Sequence, residues 1–447
     1  MTPSGGIVRF DEARPIALAT AREVAAKGID SVLIRDVLGR LCLALDDRPG
    51  ELSQEAVAKW RAELKERLGS YAAPNTVLLA SELFAAEAVF DSPRVVDEPE
   101  LGNRPGQGHI RALDNTVVGE DWARVTTPSP QVTGVRTARI ALYGFKGGVG
   151  RSTATFMLGK HLAAQGRCVL VVDLDLESPG SGSLLLDEEA MPRYGLVDHL
   201  VECAIGNAEG LDLVERASGV SILGNGELWV APARGRGSGS APYAYVDKLN
   251  RVYADAPGST FPSFADRLEQ AVSACEIAVA ERSRQPDVIL LDSRAGIHDI
   301  AAITISRLCD LALLFGSDNS QTWQGYNDLF TAWRTSGQAE AIREKLRMVA
   351  SMVPDKLRAD YLETFRDHAW TCFSVLYDDL PPDDISGFNP SPEDTSAPHY
   401  PIPILFTLDL VGLDGAASPG WSERTFVQAA YGEFLNTATR LIIEGLQ

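Results

Sequence analysis

Short apolar runs alternate with helical patterns over residues 138–447. Such alternation predicts strands separated by helices, which is the order that a doubly wound, mostly parallel sheet requires. The predicted strands are residues 138–144, 168–174, 220–223, 228–231, 287–291, 311–315, 347–352 and 402–406. Two stretches interrupt the pattern, 233–260 and 380–403, and their Gly, Ser, Pro and Asp content predicts surface loops.

Residues 1–90 predict a separate, smaller α+β domain. The helix that follows Ser53 carries an apolar face and is ended by Gly69. The other predicted elements are a strand at 7–10, a helix at 14–27, strands at 32–37 and 40–46 that form a β-hairpin, and a strand at 76–80. The order βαββαβ suggests a ferredoxin-like sandwich. This part resembles no family that we recognise.

The composition changes between residues 91 and 137, where Pro, Gly, Asn and acidic residues accumulate. Such a stretch predicts a linker or an extended connector. We place the domain boundary near residue 130. The expected organisation is therefore a small domain at 1–90, a connector at 91–137 and an α/β domain at 138–447.

Composition and charge narrow the function. The 447 residues are 45% hydrophobic and 23% charged, which is typical of a globular protein, and no apolar run approaches the ~20 residues that span a bilayer. The start of the chain lacks a basic segment followed by an apolar core, so we expect a cytoplasmic protein. Six cysteines show no metal-binding spacing and predict buried thiols. A formal net charge of −20 disfavours nucleic acid as a partner.

A glycine-rich turn, residues 144–153 (GFKGGVGRST), follows the apolar run 140–143 and precedes the helical pattern 154–164. In this context the backbone N–H groups of small residues can close around an anion, and the positive end of the next helix points at the same place. The turn predicts a site for a nucleoside triphosphate. It departs twice from the usual phosphate loop, with Phe145 at the first glycine and Arg151 at the lysine.

The same turn, with its early Lys146, resembles the deviant phosphate loop of the ParA/MinD ATPases of the SIMIBI class. Two further motifs follow in the order of that family. Residues 171–175 (VVDLD) resemble its second strand and first switch, and residues 288–292 (VILLD) resemble its Walker B strand. The resemblance implies bound ATP and Mg²⁺.

The resemblance also implies roles for individual residues. Lys146 would reach the phosphates of a partner subunit, Arg151 would contact the β- and γ-phosphates, and Asp175 would orient the attacking water. Asp173 would lie near the outer shell of the metal. The phosphate cradle would be Gly147, Gly148, Val149 and Gly150, followed by Ser152 and Thr153. Ser152 and Asp292 would hold Mg²⁺, Asp292 through water.

Two positions differ from the family pattern. Arg294 stands in the second switch where the family has proline, and its guanidinium could sense the γ-phosphate or pair with an acid. Ser351 stands where the family often has the asparagine that reads the base. The preference for adenine over guanine is therefore implied by the resemblance alone.

The function that the resemblance implies is a slowly hydrolysing, ATP-dependent switch, a homodimer that regulates or recruits a protein partner through the N-terminal domain. The alternatives are an ATPase that positions cargo on DNA or membrane, and a nucleotide-binding scaffold that does not hydrolyse ATP. Net charge opposes DNA. The last helix, 426–445, has Arg440 as its single cation, so it predicts a core-packing helix and no membrane contact.

Overall fold

A computed structural model describes residues 8–92, 94–98, 106–115, 120–123, 125, 137–218, 222, 224–237, 243–253, 262–380, 387–410 and 420–445. The chain divides into two compact units, Met1–Val118 and Gly119–Gln447. The family-like α/β fold and the separate small domain that the sequence predicts are both present. Within the described ranges, no helix combines the length and the apolar character needed to cross a bilayer.

The first unit is a five-stranded sheet with helices. Its elements are α1 Phe10–Ala25, β1 Ser31–Arg35, β2 Leu41–Leu45, α2 Gln54–Leu68, β3 Ala72–Leu79, α3 Glu87–Phe90, β4 Val96–Asp97 and β5 Ile110–Asp114. The strand order is β3-β2-β1-β5-β4. The predicted hairpin (β1 and β2) and the helix capped by Ser53 are confirmed.

The predicted ferredoxin-like order is wrong, because a helix begins where the first strand was expected. Residues 8 and 9 are not a strand, and residue 7 lies outside the described residues. The Glu12 carboxylate accepts a hydrogen bond from the backbone N–H of Arg9, which satisfies a free donor at the start of α1. The predicted connector also differs, since residues 96–97 and 110–114 are strands of this sheet.

The second unit is an eight-stranded sheet between layers of helices. Its elements are β6 Ala138–Gly144, α4 Arg151–Ala164, β7 Cys168–Asp173, α5 Ser181–Leu185, α6 Leu196–Cys203, β8 Glu215–Arg216, β9 Glu227–Ala231, α7 Tyr245–Val252, α8 Phe264–Arg282, β10 Val288–Asp292, α9 Asp299–Ile303, β11 Leu311–Gly316, α10 Ser320–Thr335, α11 Ala339–Arg343, β12 Leu346–Val353, α12 Arg358–Phe373, β13 Ile402–Leu405 and α13 Thr425–Gly445. Short 3₁₀ turns and a π turn at Thr304–Leu308 complete it.

The strand order places the glycine-rich turn at the centre of the sheet. The order is β13-β12-β11-β6-β10-β7-β9-β8, and every pair is parallel except β8 with β9. Seven of the eight predicted strands are present, and the prediction at 220–223 falls largely outside the described residues. Strands β7 to β10 lie on one side of β6, and β11 to β13 lie on the other, so the strand order switches sides at β6. Ligands of such sheets bind beyond the carboxyl ends of the strands at this switch point.

Both faces of this sheet are covered by apolar side chains. Helices α8, α9, α10 and α12 pack on one face, and α4 and α13 pack on the other. Helix α13 buries Val427, Phe434 and Ile442, so its predicted role in the core is confirmed. All six cysteines are buried thiols, also as predicted.

The two predicted surface loops are only partly loops. Residues 245–252 form α7, and Val252 is buried in the core. In the second stretch Ala397 and His399 are buried, and the His399 ring is 2.8 Å from the Tyr377 hydroxyl. Polar composition predicted exposure here, but a short helix in the first segment and buried residues such as His399 in the second hold parts of both segments against the domain.

Candidate functional site

The glycine-rich turn connects β6 to α4 through a backbone that only glycine adopts easily. Gly148 and Gly150 have φ angles of +78° and +82°, in the left-handed region. A Cβ atom at Gly147 or Gly148 would meet nothing within 4 Å, so this side of the turn is open. Gly150 precedes α4 and has no side chain to cap it, so the first N–H groups of the helix remain available to an anion.

Asp292 ends the strand beside β6 and is the most unusual group of the site. Its side chain is fully buried, yet neither carboxylate oxygen has a hydrogen-bond partner among the described residues. Burial raises the pKa of Asp292, while the charge of Arg151 and the nearby hydroxyls of Ser152 and Ser181 act to lower it. A buried carboxylate without partners is costly unless a cation neutralises it.

Asp173 lies opposite Asp292 on the neighbouring strand, β7. Its Oδ1 accepts from the N–H of Asp175 at 3.2 Å, and its Oδ2 accepts from the N–H groups of Gly180 and Gly182 at 3.1 and 3.0 Å. Burial, followed by the negative charge of Asp292, raises the pKa of Asp173 to about 7. Asp173 therefore holds the turn at 180–182 beside Asp292.

The turn at 180–182 lies next to Ser152 in the phosphate loop. A Cβ atom at Gly180 would lie 2.9 Å from Ser152 Oγ, so the two segments touch. The Ser181 hydroxyl is buried and has no partner among the described residues. Carboxylate and hydroxyl oxygens are the ligand type that Mg²⁺ prefers. The donor set around Asp292 therefore fits a magnesium ion.

Arg151 and Asp175 form a pair inside the site. Arg151 Nη2 lies 3.2 Å from Asp175 Oδ2, and their side chains are 8% and 12% exposed. Burial raises the pKa of Asp175, and the charge of Arg151 opposes that rise. Arg151 Nη1 is buried and has no partner among the described residues. One guanidinium nitrogen thus remains for a further anion.

Lys146 and Phe145 connect the turn to α10. Lys146 is exposed, and its ammonium group donates to the side-chain oxygen of Gln321. The ring of Phe145 lies against Gly325, where a Cβ atom would come within 2.4 Å of it. Phe145, which stands where the usual phosphate loop has its first glycine, therefore anchors the turn on this helix. A glycine within a helical pattern was the sequence signal for this contact.

The loop after Asp292 contacts the loop after Asp175. Arg294 forms an ion pair with Glu177, so the acid-pairing alternative for Arg294 is the one present. The same Glu177 oxygen accepts from the hydroxyl of Tyr253, and Tyr245 donates to the Leu176 carbonyl. Sequence reasoning missed both tyrosines because they fall in the segment interpreted as a loop.

Ser351 lies on β12, two strands from β6, and is buried. Its hydroxyl donates to the Gly316 carbonyl at 3.1 Å. The proton of Ser351 is already used within the sheet, so only its lone pairs remain for a ligand. The next residue, Met352, has a φ of +58°, where β12 is irregular.

A family model described as the CobQ/CobB/MinD/ParA nucleotide binding domain matches residues 140–376, more than half of the chain. An uncharacterized protein of Mycobacterium tuberculosis is 32% identical over 179 residues, which are 37% of this chain and 51% of that protein. The chain thus spans about half the length of the curated relatives it matches first.

The solved structures that resemble the chain include the following two. One is the MinC:MinD cell division protein complex of Aquifex aeolicus, with 16% identity, a TM-score of 0.41, and coverage of 68% of this chain and 96% of that chain. The other is cobyrinic acid a,c-diamide synthase of Mycobacterium smegmatis with bound ATP analog and magnesium, with 19% identity, a TM-score of 0.36, and coverage of 52% and 82%. These likenesses concern the fold alone.

Proposed function

The chain belongs to the CobQ/CobB/MinD/ParA nucleotide-binding family, and from that premise we propose that it binds ATP with Mg²⁺ at residues 144–153 and acts as a slowly hydrolysing dimer switch for a protein partner. The observation that carries the proposal is the buried carboxylate of Asp292, which has no partner among the described residues and lies beside Ser152 at an uncapped helix N-terminus.

Phosphate binding rests on the turn and on Arg151. The turn is open beside Gly147 and Gly148, and the first N–H groups of α4 have no side-chain cap, so both can bind phosphate oxygens. Arg151 would hold phosphate oxygens with Nη1, which has no partner in the described part of the chain, and Thr153 would contact the α-phosphate. Because guanidinium is planar and can form two parallel hydrogen bonds, Arg151 would orient the phosphate as well as neutralise it.

Ser152 and Asp292 would hold the metal. Mg²⁺, when bound, would neutralise charge between the phosphates. Asp173 has three backbone donors of its own, so it would act at a distance from the metal by fixing the turn that contains Ser181. This assignment explains why two acids, Asp173 and Asp292, face each other in a buried position.

Hydrolysis would depend on Asp175. Its carboxylate would accept a hydrogen bond from the attacking water and so orient it. Its Oδ2 pairs with Arg151, and that contact must loosen or be shared when phosphate arrives. We infer slow turnover, because the residue that orients water and the residue that replaces the lysine hold each other.

Dimer formation would use Lys146. This lysine is exposed, and its hydrogen-bond partner among the described residues is the neutral side chain of Gln321, which is a weaker acceptor than a phosphate. Exchange of Gln321 for the phosphates of a second subunit would therefore favour a nucleotide-bound homodimer. Association with the partner protein is assigned to the first unit, and the cytoplasm is the proposed location.

A non-hydrolysing scaffold is the second candidate, favoured by the same Arg151–Asp175 pair. If the pair persists with nucleotide bound, no carboxylate is free to orient water. A DNA- or membrane-positioning ATPase is less supported, since the chain carries a net charge of −20 and α13 packs into the core.

Titration calorimetry with ATP, GTP and ADP, with Mg²⁺ and with chelator, tests the binding proposal. We expect ATP to bind more tightly than GTP and to lose at least tenfold in affinity with chelator, a factor that corresponds to about 1.4 kcal/mol. Equal affinity for ATP and GTP, or no effect of chelator, would remove the proposed base preference or metal site. Phosphate release under the same conditions separates the switch from the scaffold.

A further inference from the structure

One ion pair joins the two loops that carry the acids of the site. Glu177 follows Asp175 by two residues, and Arg294 follows Asp292 by two. Arg294 Nη1 pairs with Glu177 Oε1, with side chains 29% and 24% exposed. Because β7 and β10 are neighbours with Asp173 opposite Asp292, the two loops leave the sheet side by side.

The pair is reinforced on both sides. The Tyr253 hydroxyl, at the end of α7, donates to the same Glu177 oxygen. The His298 ring lies 3.1 Å from Arg294 Nη1 and packs edge-on against Tyr253, with ring centroids 5.2 Å apart. His298 is also the N-cap of α9, where its Nδ1 accepts from the N–H of Ile300. The cluster thus links α7, α9 and both loops.

A second contact fixes the Arg294 loop against the phosphate loop. The Gly296 N–H donates to the Gly144 carbonyl at 3.3 Å, and the Tyr143 hydroxyl donates to the Gly296 carbonyl at 3.2 Å. A displacement of residues 293–298 would therefore also displace the backbone at the start of the phosphate loop or break these hydrogen bonds. A proline at position 294, as in the ParA/MinD pattern, could not form the pair with Glu177.

We propose that the Glu177–Arg294 pair joins residues 175–178 and 293–298 into one unit, so that both loops respond together when nucleotide binds. The inference rests on the proposed function for its nucleotide-dependent part. Glu177 and Arg294 are then positioning residues: they act through Asp175 and Asp292. Helix α7, attached through Tyr253, follows the same unit.

Hydrogen exchange of the nucleotide-free protein tests the junction itself. Glu177→Gln and Arg294→Gln each remove the ion pair. Glutamine matches glutamate in size and is shorter than arginine, so Glu177→Gln is the cleaner of the two variants. Each should speed exchange about fivefold in both peptides, the one that covers 174–182 and the one that covers 293–300. Hydrogen exchange in the double variant should be no faster than in either single variant, because both substitutions remove the same ion pair. Faster exchange only around the substituted residue would overturn the proposal.

The Arg307–Glu269 pair provides the control, with Glu269→Gln as its single-pair variant because Arg307 also pairs with Asp266. Its nitrogen and oxygen are 2.6 Å apart, and its side chains are 27% and 19% exposed, much as in the pair under test. Arg307→Gln and Glu269→Gln should leave exchange at 174–182 and 293–300 unchanged. If these controls loosen the same two peptides, the effect reflects general destabilisation and the proposal is wrong.

Kinetics adds a readout that a merely structural role would not move. With saturating Mg²⁺, Glu177→Gln should lower kcat for ATP about tenfold and leave KM within about twofold. Arg294→Lys, which keeps the positive charge, should retain more of the wild-type kcat than Arg294→Gln. A rise in KM with kcat kept would contradict a positioning role. If the wild-type protein binds no ATP, the proposed function fails, whereas exchange without nucleotide still decides whether the loops are joined.

Discussion

Asp292→Asn should stabilise the nucleotide-free protein, which is the reverse of the usual effect of changing a buried residue. The substitution removes one of two buried carboxylates that face each other and keeps the side-chain shape. Asp292 makes no hydrogen bond of ordinary length and angle among the described residues, and the asparagine oxygen can still accept from the nearby Ser152 and Ser181 hydroxyls. The folded state should therefore gain, while binding of Mg²⁺ and ATP is lost.

The size of the gain follows from Asp173. Its pKa rises from 3.8 to about 7 in the folded protein, and one pKa unit corresponds to about 1.4 kcal/mol, so its full ionisation costs the folded state about 4 kcal/mol. Burial is the larger cause and the charge of Asp292 the second. Removing that charge should therefore recover the smaller part of this cost, on the order of 1 kcal/mol.

The gain should depend on pH with a defined sign. A carboxyl group with a raised pKa binds more protons in the folded state than in the unfolded state. The free energy of unfolding is therefore highest at low pH and falls as pH rises from about 4 through about 7. The wild type carries this penalty at pH 8 and is partly relieved at pH 5. The stability difference between Asp292→Asn and wild type should grow over that range.

Urea unfolding followed by circular dichroism at pH 5, 6, 7 and 8, with chelator present, measures the difference. Asp378→Asn is the control, because Arg343 and the N–H of Phe388 lower the pKa of Asp378. That variant should lose about 1–3 kcal/mol at every pH in this range. If Asp292→Asn is less stable than wild type at pH 8, or if the difference ignores pH, the carboxylates do not form an uncompensated anionic site.

Two further predictions concern the phosphate loop and charge. Gly325→Ala would place a Cβ atom 2.4 Å from the Phe145 ring and should weaken ATP binding about tenfold. The control is Gly432→Ala in α13, where a Cβ atom would meet nothing within 4 Å. This variant should stabilise the folded protein by about 0.5–1 kcal/mol and leave ATP affinity unchanged. Calorimetry compares the two, and equal ATP affinities would refute the anchoring role of Phe145. In a mobility-shift assay at ~0.15 M salt, DNA should bind weakly at most with ATP, because of the −20 charge; a tight ATP-dependent shift would favour the DNA-positioning alternative.

The central sheet could be predicted because its signals are local. Each strand is a short apolar run, and glycine and acidic residues mark the carboxyl ends of β6, β7 and β10. The small domain was harder, since β4 has only two residues and β5 pairs with β1 across about 80 positions of the chain. Neither feature appears in a local pattern.

The parts of the site that depend on contacts between loops could not be predicted. From the sequence, a charged residue such as Arg294 or Glu177 could pair with any of several opposite charges. The two residues meet because β7 and β10 are neighbouring strands. The partner of Ser351 likewise comes from the neighbouring strand. Motifs therefore identified which groups gather at the edge of the sheet, and tertiary structure determined how those groups pair with one another.

Molar mass in solution tests the dimer switch most directly, by size exclusion with light scattering in Mg²⁺ and ATP. Wild type should shift towards twice its monomer mass. Lys146→Ala, which loses a charge-assisted contact across subunits worth about 1.5–3 kcal/mol, should stay monomeric. Asp175→Ala should accumulate as the dimer, because ATP persists. If wild type never changes mass with ATP, or if the two variants behave alike, the dimer switch is contradicted.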